Sequence, residues 1–590
     1  MCGIHLIWGK GANEENIQKL VDHSHHRGPD QQAVLSPWAG LWIGVNRLKI
    51  LDLGIEANQP FWDSDGNYLL IWNGEIYNYS TLRSILEKMG VPLQSKSDTE
   101  VLLYYLKFFG TEALTKIQGM FSLIFIDLLQ QSVLIARDPT GEKPLYFFQN
   151  PDSLIVSSEA KGIANLLGLE VDAQQITSYF YFRFPLPGKS AFKGIREWKP
   201  GRYSRVHQHF SFRWDTIPSQ APSPEKPELR TFQASLKSAI SKQFQADTPV
   251  GVMLSGGADS SLLYAYWYQQ SGISLPSFTI QTEKKYEKKY ADASHALRLC
   301  QQFPSDQELI AIDQRIFLQH WEEYLLSLDQ PMGDSASFLT WMIGKKAKVS
   351  VKVLIGGAGA DELWGGYQRH VGFNRYLSHS GFWTTWSPIL AKLPWNREIK
   401  KFLNGIDRNP NKTFLNFSAL ENPDSELYPD FDRYFNLSLD PYKRMLDFDR
   451  QVYLVEDVLK IHDHALMAHS IEGRSPYLDA EMISLWESVT DHSLLIGKTW
   501  IKASLSEIGL DWIANRKKFG FGLPLQEWLQ EDGPFAQRVF STLKAWADLE
   551  GKLLPQPILE VCKHPEQAAK NQFLTLYNLF LWREWVNLRS

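Results

Sequence analysis

Short apolar stretches bounded by turn residues dominate the first 210 or so positions: LWIGVNRLKIL, YLLIWNGEIYN, MFSLIFIDLL, SVLIARD and SLIVSSE, punctuated by DSDGN and QNPDS. Runs of this length and composition predict β-strands. Two segments break the pattern, STLRSILEKMG and DTEVLLYYLKFFG, where apolar residues recur at intervals of three and four and predict helices. Together they describe an α+β module. Periodicity then disappears in the proline-rich TIPSQAPSPEKPE, which places a linker at 214–228 between a first domain at 1–213 and a second at 229–590.

Beyond the linker, apolar runs alternate with helical patterns: TPVGVML then SSLLYAYWYQQ, LPSFTIQ then YADASHALRLCQQF, and VKVLIG before a glycine-rich turn. Such alternation predicts an α/β parallel sheet with crossover helices. From about 370 onward the chain reads as largely helical and rich in tryptophan. The basic stretch KKYEKKY at 284–290 reads as a solvated face.

Composition narrows the function classes. The 590 residues exceed one typical domain, and 44% hydrophobic content argues against disorder. A formal charge of −5 supplies no general attraction to nucleic acid. Three scattered cysteines, Cys2, Cys300 and Cys562, suggest neither a disulfide framework nor a cysteine-rich zinc site, and fit a reducing cytoplasm. No basic-then-apolar leader is visible at the N-terminus, and GMFSLIFIDLL is interrupted by Asp127, so neither export nor membrane insertion is expected.

Cys2 is the first candidate for chemistry. Removal of Met1 would give one residue both a thiol nucleophile and an α-amine able to accept its proton near neutral pH. Arg47 offers a fork for an α-carboxylate, Glu75 and Asp98 can accept from an α-ammonium, and Asn73 beside Gly74 can donate to an oxyanion. Taken alone, the Asn-Gly pair would read as a hairpin turn. A second candidate follows TPVGVML, where Ser255-Gly256-Gly257-Ala258-Asp259-Ser260-Ser261 opens a helix. A glycine-rich turn at a helix N-terminus presents amides and a positive dipole end to phosphate, and no Gly-Lys-Ser/Thr of the Walker type follows.

In the first half, MCGI, HRGPD at 26–30, NRLKILDL, NGEIYN, SDTE and RDPTGEKPLY at 137–146 resemble the class II, N-terminal nucleophile glutamine amidotransferases of glutamine-dependent asparagine synthetases. The resemblance implies an N-terminal nucleophile four-layer sandwich. It makes Cys2 the glutaminase nucleophile, Asn73 and Gly74 the oxyanion hole, and Arg47, Glu75 and Asp98 further glutamine-binding residues alongside them. It also assigns HSHHRGPD to scaffold, not to a metal. In the second half, SGGADSS resembles the pyrophosphate loop of ATP pyrophosphatases. DQPMGDSA at 329–336, GGAGADELWGGY at 356–367, MAHSIEGRSPYLD at 467–479 and RKKFGFGLPLQEWL at 516–529 extend the likeness to the synthetase domain. That likeness implies ATP bound by Leu254, Ser255, Gly256, Gly257, Asp259, Ser260, Ser261, Ile280, Gly356 and Gly357. It further implies Mg2+ at Asp259 and Asp361, and Lys518 stabilising the leaving group.

The expected reaction takes ammonia from glutamine to a carboxylate activated as an acyl-adenylate, such as aspartate. The resemblance is compatible with a homodimer. One position departs from the family: Ala358 stands where an acid is usual, with smaller departures at Gly356 and at 463–467. A different carboxylate acceptor, or a regulatory protein with an impaired synthetase site, are therefore the alternatives.

Overall fold

The computed structural model describes the chain from Cys2 to Arg589, apart from residues 208–209, 211, 219–224, 287–288 and 517–519. Its N-terminal part is built on two six-stranded sheets. One runs Arg196–Glu197, Tyr146–Asn150, Ser153–Ser157, Cys2–Gly9, Leu41–Arg47, Gln31–Trp38; the other runs Asp215–Thr216, Arg202–Val206, Ser132–Arg137, Gly119–Asp127, Tyr68–Ile76, Phe61–Trp62. Every strand pair in them is antiparallel.

Alternation along the strands decides the layering. Ile4, Leu6, Trp8, Leu41, Ile43 and Val45 of the first sheet meet Leu69, Ile71, Ile124, Ile126, Val133 and Ile135 of the second in one buried core. The reverse face of the first sheet packs Ile7 and Ile155 against Ile17, Leu20 and Ile163 of helices Glu14–His23 and Ala160–Leu167. Leu70, Trp72 and Phe125 on the reverse face of the second meet Leu82, Leu86 and Val101–Leu106 of helices Tyr79–Lys88 and Asp98–Phe109. The order is helix, sheet, sheet, helix, the four-layer sandwich expected. Both predicted helices are present. Glu14–His23, Ala160–Leu167 and Gln175–Phe182 are additional to the sequence reading. Asp215–Thr216 pairs with Arg202–Tyr203, so the second sheet extends past residue 214, while residues 219–224 of the expected linker lie outside the described residues.

The second part holds a five-stranded parallel sheet in the order Asp306–Ile312, Pro276–Thr282, Val250–Met253, Val353–Ile355, Glu472–Arg474. After Val250–Met253 the chain first moves to one side of that strand and later returns on the other. The topological switch point therefore falls between Val250–Met253 and Val353–Ile355, where α/β sheets bind ligands beyond the strand C-termini. The rest, as expected, is mainly helical, and among the described residues no helix is long and apolar enough to cross a membrane. In the basic stretch, Lys285 and Lys289 pair with Glu531 and Glu527 at 2.8 and 2.6 Å, so these two charges face acids.

Buried and partly buried polar contacts join the two parts. Arg27 forks onto Asp463 at 2.9 and 3.2 Å, Lys460 reaches Glu197 at 2.8 Å, and Arg183 reaches Asp334 at 2.6 Å. Asp329 accepts from the amides of Ala160 and Lys161, and Gln330 bonds Tyr146 and Ala191. Much of DQPMGDSA thus fastens the two parts together.

Candidate functional site

The strand alternation that fills the sandwich core also builds the first site. Cys2 continues the inward series Ile4, Leu6, Trp8; Arg47 continues Leu41, Ile43, Val45; Asn73 and Glu75 continue Leu69 and Ile71. Apolar residues give way to polar ones at one end of the sandwich, and Cys2 is paired in register with Arg47 there. Cys2 N donates to Asn73 Oδ1 at 2.8 Å, and Gln59 Nε2 lies 3.6 Å from Cys2 Sγ. Asn73 Nδ2 is buried with no hydrogen-bond partner among the described residues. A donor held in that way has its hydrogens available to an oxygen placed beside Cys2. Gly74 lies where strands approach closely: a Cβ there would sit 2.2 Å from the Met120 carbonyl oxygen.

Asp98 begins a helix capped by Ser97 and accepts from the Ile76 amide at 3.2 Å. Burial pushes its pKa up to about 6. Burial also raises Glu75, to about 8, against the pull of Arg474, whose guanidinium lies 3.3 Å away. Arg47 clamps the following loop, donating to Asn58 Oδ1 at 2.9 Å and to the carbonyls of Leu51, Asp52 and Gly54. All six glutaminase candidates, Cys2, Arg47, Asn73, Gly74, Glu75 and Asp98, therefore converge on one end of the sandwich.

The second site forms at the switch point. Gly256 has φ +65°, and a Cβ on it would meet the Asp292 carbonyl oxygen at 2.6 Å, so the turn into helix Ala258–Ser271 requires glycine. Ser255 Oγ bonds Ser260 Oγ at 3.1 Å and accepts from Gly257 N at 3.3 Å, which shapes the loop. Ser261 Oγ is buried without a partner among the described residues, and Leu254 and Ile280 are buried at adjacent strand ends. Gly356 and Gly357 open the neighbouring loop, where a Cβ on Gly357 would lie 3.0 Å from Asp259 Cβ. The two loops are therefore in contact.

A residue absent from the sequence reading joins them. Lys498, buried and at φ +61°, places Nζ 2.5 Å from Asp259 Oδ2 and 2.6 Å from Asp361 Oδ1. Burial works against its charge, but the two carboxylates outweigh burial and hold its pKa above the ordinary lysine value. Its only sequence signal was a lysine after Gly497, with no periodic or glycine-rich motif around it. Asp259 Oδ1 is buried and accepts no hydrogen bond among the described residues. Two clustered carboxylates with an open oxygen fit a hard cation that is chiefly bound through nucleotide phosphates. No group of three metal-ligating side chains occurs among the described residues. Lys518 lies outside the described residues.

Residues 231–587 match the asparagine synthase family model, and residues 1–212 match the glutamine amidotransferase domain model. The chain is 26% identical over 577 residues to asparagine synthetase [glutamine-hydrolyzing] 1 of Bacillus subtilis, covering 90% of this chain and 88% of that protein. It is 27% identical over 578 residues to a putative asparagine synthetase [glutamine-hydrolyzing] of Mycobacterium bovis, covering 88% and 86%. Among solved structures, glutamine phosphoribosylpyrophosphate amidotransferase of B. subtilis complexed with ADP and GMP aligns with a TM-score of 0.30 and 16% identity, covering 52% of this chain and 81% of that one. The chain belongs to the asparagine synthase family, with a glutamine amidotransferase domain at its N-terminal end.

Proposed function

We propose that this chain is an ATP-dependent ligase that releases ammonia from glutamine at Cys2 and delivers it to a carboxylate activated as an acyl-adenylate. We assign glutamine hydrolysis to residues 1–213, the linker to 214–228 and synthesis to 229–590. The observation that carries the reading is the orphaned Asn73 amide beside Cys2, in the same chain as a glycine-rich loop facing Lys498 and Asp361. With Met1 removed, the α-amine of Cys2 takes the thiol proton, the sulfur attacks the carboxamide carbon, and Asn73 Nδ2 with the Gly74 amide holds the oxyanion. Asp98 and Glu75 face the substrate ammonium, and Arg47 takes the carboxylate by exchanging its bond to Asn58.

At the second site the amides of the Ser255–Gly257 loop and the N-terminus of helix Ala258–Ser271 cradle the phosphates, while Lys498 stabilises the departing pyrophosphate. Leu254 and Ile280 pack on the adenosine. Mg2+ held by Asp259 and Asp361 would neutralise phosphate charge. Lys518 is assigned to the same leaving group on its sequence motif alone. The acceptor is aspartate or a related carboxylate. Ala358, which leaves the second loop without an ionisable side chain, favours an acceptor other than aspartate. Three unpaired cysteines suit a cytoplasmic setting.

The reading is tested by incubating the chain with ATP, Mg2+, amide-15N-glutamine and a panel of carboxylates. AMP, pyrophosphate and a 15N-labelled amide are the expected products. Formation of ADP and orthophosphate, or of glutamate and ammonia alone with every carboxylate, overturns it.

A further inference from the structure

Amide formation from ammonia and an acyl-adenylate must shed a proton from nitrogen as the bond forms. The loop Gly356-Gly357-Ala358-Gly359 has no side chain that can take it. Around this loop, Asp259 Oδ2 and Asp361 Oδ1 are held by Lys498, and Glu472, on the neighbouring strand, is paired with Arg474 at 2.6 Å.

A histidine lies against that loop. His462, on helix Leu459–Met467, is wedged between the second ATP loop and the edge strand of the parallel sheet. A Cβ on Gly356 would be 2.7 Å from its Nε2, and one on Gly473 would be 2.5 Å from its Cε1. Glycine at both positions is what makes room for the ring. His462 is 8% exposed, and its Nε2 has no hydrogen-bond partner among the described residues. The next residue, Asp463, holds Arg27, whose Nε donates to the Cys2 carbonyl at 3.3 Å. One turn of helix therefore faces the cysteine strand with Asp463 and the ATP loop with His462.

We propose that His462 is the proton acceptor of the amide-forming step, an inference that rests on the ligase reading above. The ammonia lone pair forms the bond to the acyl carbon, and a proton passes from that nitrogen to His462 Nε2. The bond from carbon to the AMP oxygen then breaks, with its electron pair leaving on AMP; the imidazolium afterwards returns its proton to solvent. The ring must begin neutral. Burial lowers its pKa to about 4, assisted by the charge of Lys143 and opposed by Asp463, so the ring is neutral near pH 7, and its Nδ1–H form carries the lone pair on Nε2. The ring thus stands between Gly356 of the second ATP loop and the Asp463–Arg27 pair that reaches the Cys2 carbonyl.

Three assays on the full chain separate this role from others: glutamine hydrolysis, ATP–pyrophosphate exchange with an accepted carboxylate, and amide formation with added ammonia. His462→Val is expected to leave the first two unchanged and to lower the third by about 10² to 10⁴-fold, the usual contribution of a positioned base. His462→Gln, which keeps the bulk and polarity of the site but cannot take the proton, is expected to show the same selective loss. Placing a carboxylate on the loop in Ala358→Glu/His462→Val is expected to recover part of it. Full-rate amide formation by either single variant, or a parallel loss of pyrophosphate exchange, overturns the proposal. A wild-type chain that forms no AMP with any carboxylate overturns the ligase reading itself, which keeps the two failures distinct.

Discussion

Arg474 lies 3.3 Å from Glu75, and its own carbonyl oxygen accepts from the Gly356 amide at 2.9 Å. One residue therefore touches the polar end of the sandwich through its side chain and the second ATP loop through its backbone. Burial opposes its charge, but Glu472 and Glu75 prevail and raise its pKa above the ordinary arginine value. Removing one member of a buried ionic set leaves the others uncompensated, at a cost of about 3–5 kcal/mol. Arg474→Met is expected to lower the unfolding temperature and weaken glutamine hydrolysis and pyrophosphate exchange together. Glu472, 2.6 Å from Arg474 Nε, is the carboxylate that stays ionised there, its pKa held down to about 2, so adding Glu472→Gln should restore part of the stability, as measured by calorimetry on the single and double variants. A stability loss that is the same with and without Glu472→Gln would count against this coupling.

Cys2→Ala removes the sulfur while keeping a small buried side chain, so the strand pairing with Leu41–Arg47 should persist. Glutamine-dependent synthesis and glutamine hydrolysis should fall to background, while synthesis from added ammonia continues, because ammonia enters after the first site. Hydrolysis at the wild-type rate in Cys2→Ala would remove the assignment.

The Lys498 bridge between Asp259 and Asp361 predicts a shared phenotype at the other site. Lys498→Met leaves two carboxylates repelling each other and the phosphates, whereas Asp259→Asn or Asp361→Asn leaves the lysine without one partner. Each should reduce pyrophosphate exchange by about 10² to 10³-fold, the scale of losing one preorganised charge contact in a transition state. Glutamine hydrolysis should be retained in all three. Normal exchange in Lys498→Met would show that the lysine only balances charge in the ligand-free protein.

How much of this was legible depended on how local the signal was. The strand runs were readable because alternation is a two-residue rule, and the same alternation carries Cys2, Arg47, Asn73 and Glu75 to one end of the sandwich. Helix Glu14–His23 also had a readable pattern in Ile17, Leu20 and Val21, but its ten residues are short and mostly polar, so the strands around it dominated. Lys498, Arg474 and His462 could not be placed in this way. Their roles arise from contacts across 239, 399 and 106 positions of sequence, to Asp259, Glu75 and Gly356, and no local pattern records such pairings. The part of DQPMGDSA that fastens the halves together was missed for the same reason: Asp329 acts on amides 168 and 169 residues away.

Glu142 offers a stability test independent of catalysis. Burial raises its pKa to about 8 from an ordinary 4.5, with Asp138 adding repulsion and Lys143 opposing. Between those two values the folded chain keeps a proton that the unfolded chain has released. Stability then falls as pH rises, because the folded state binds the greater number of protons. This group's share is at most about 1.4 kcal/mol per pH unit and ceases to grow above its folded pKa. Glu142→Gln carries no titrating proton, and its side-chain oxygen can still accept from Thr140 Oγ1, which lies 3.2 Å from Glu142 Oε1. The unfolding temperature of Glu142→Gln relative to wild type should therefore climb from pH 5 to about pH 8 and level off beyond it. Calorimetry across that range measures the difference directly, and a constant offset at every pH would show that Glu142 is ionised in the folded protein.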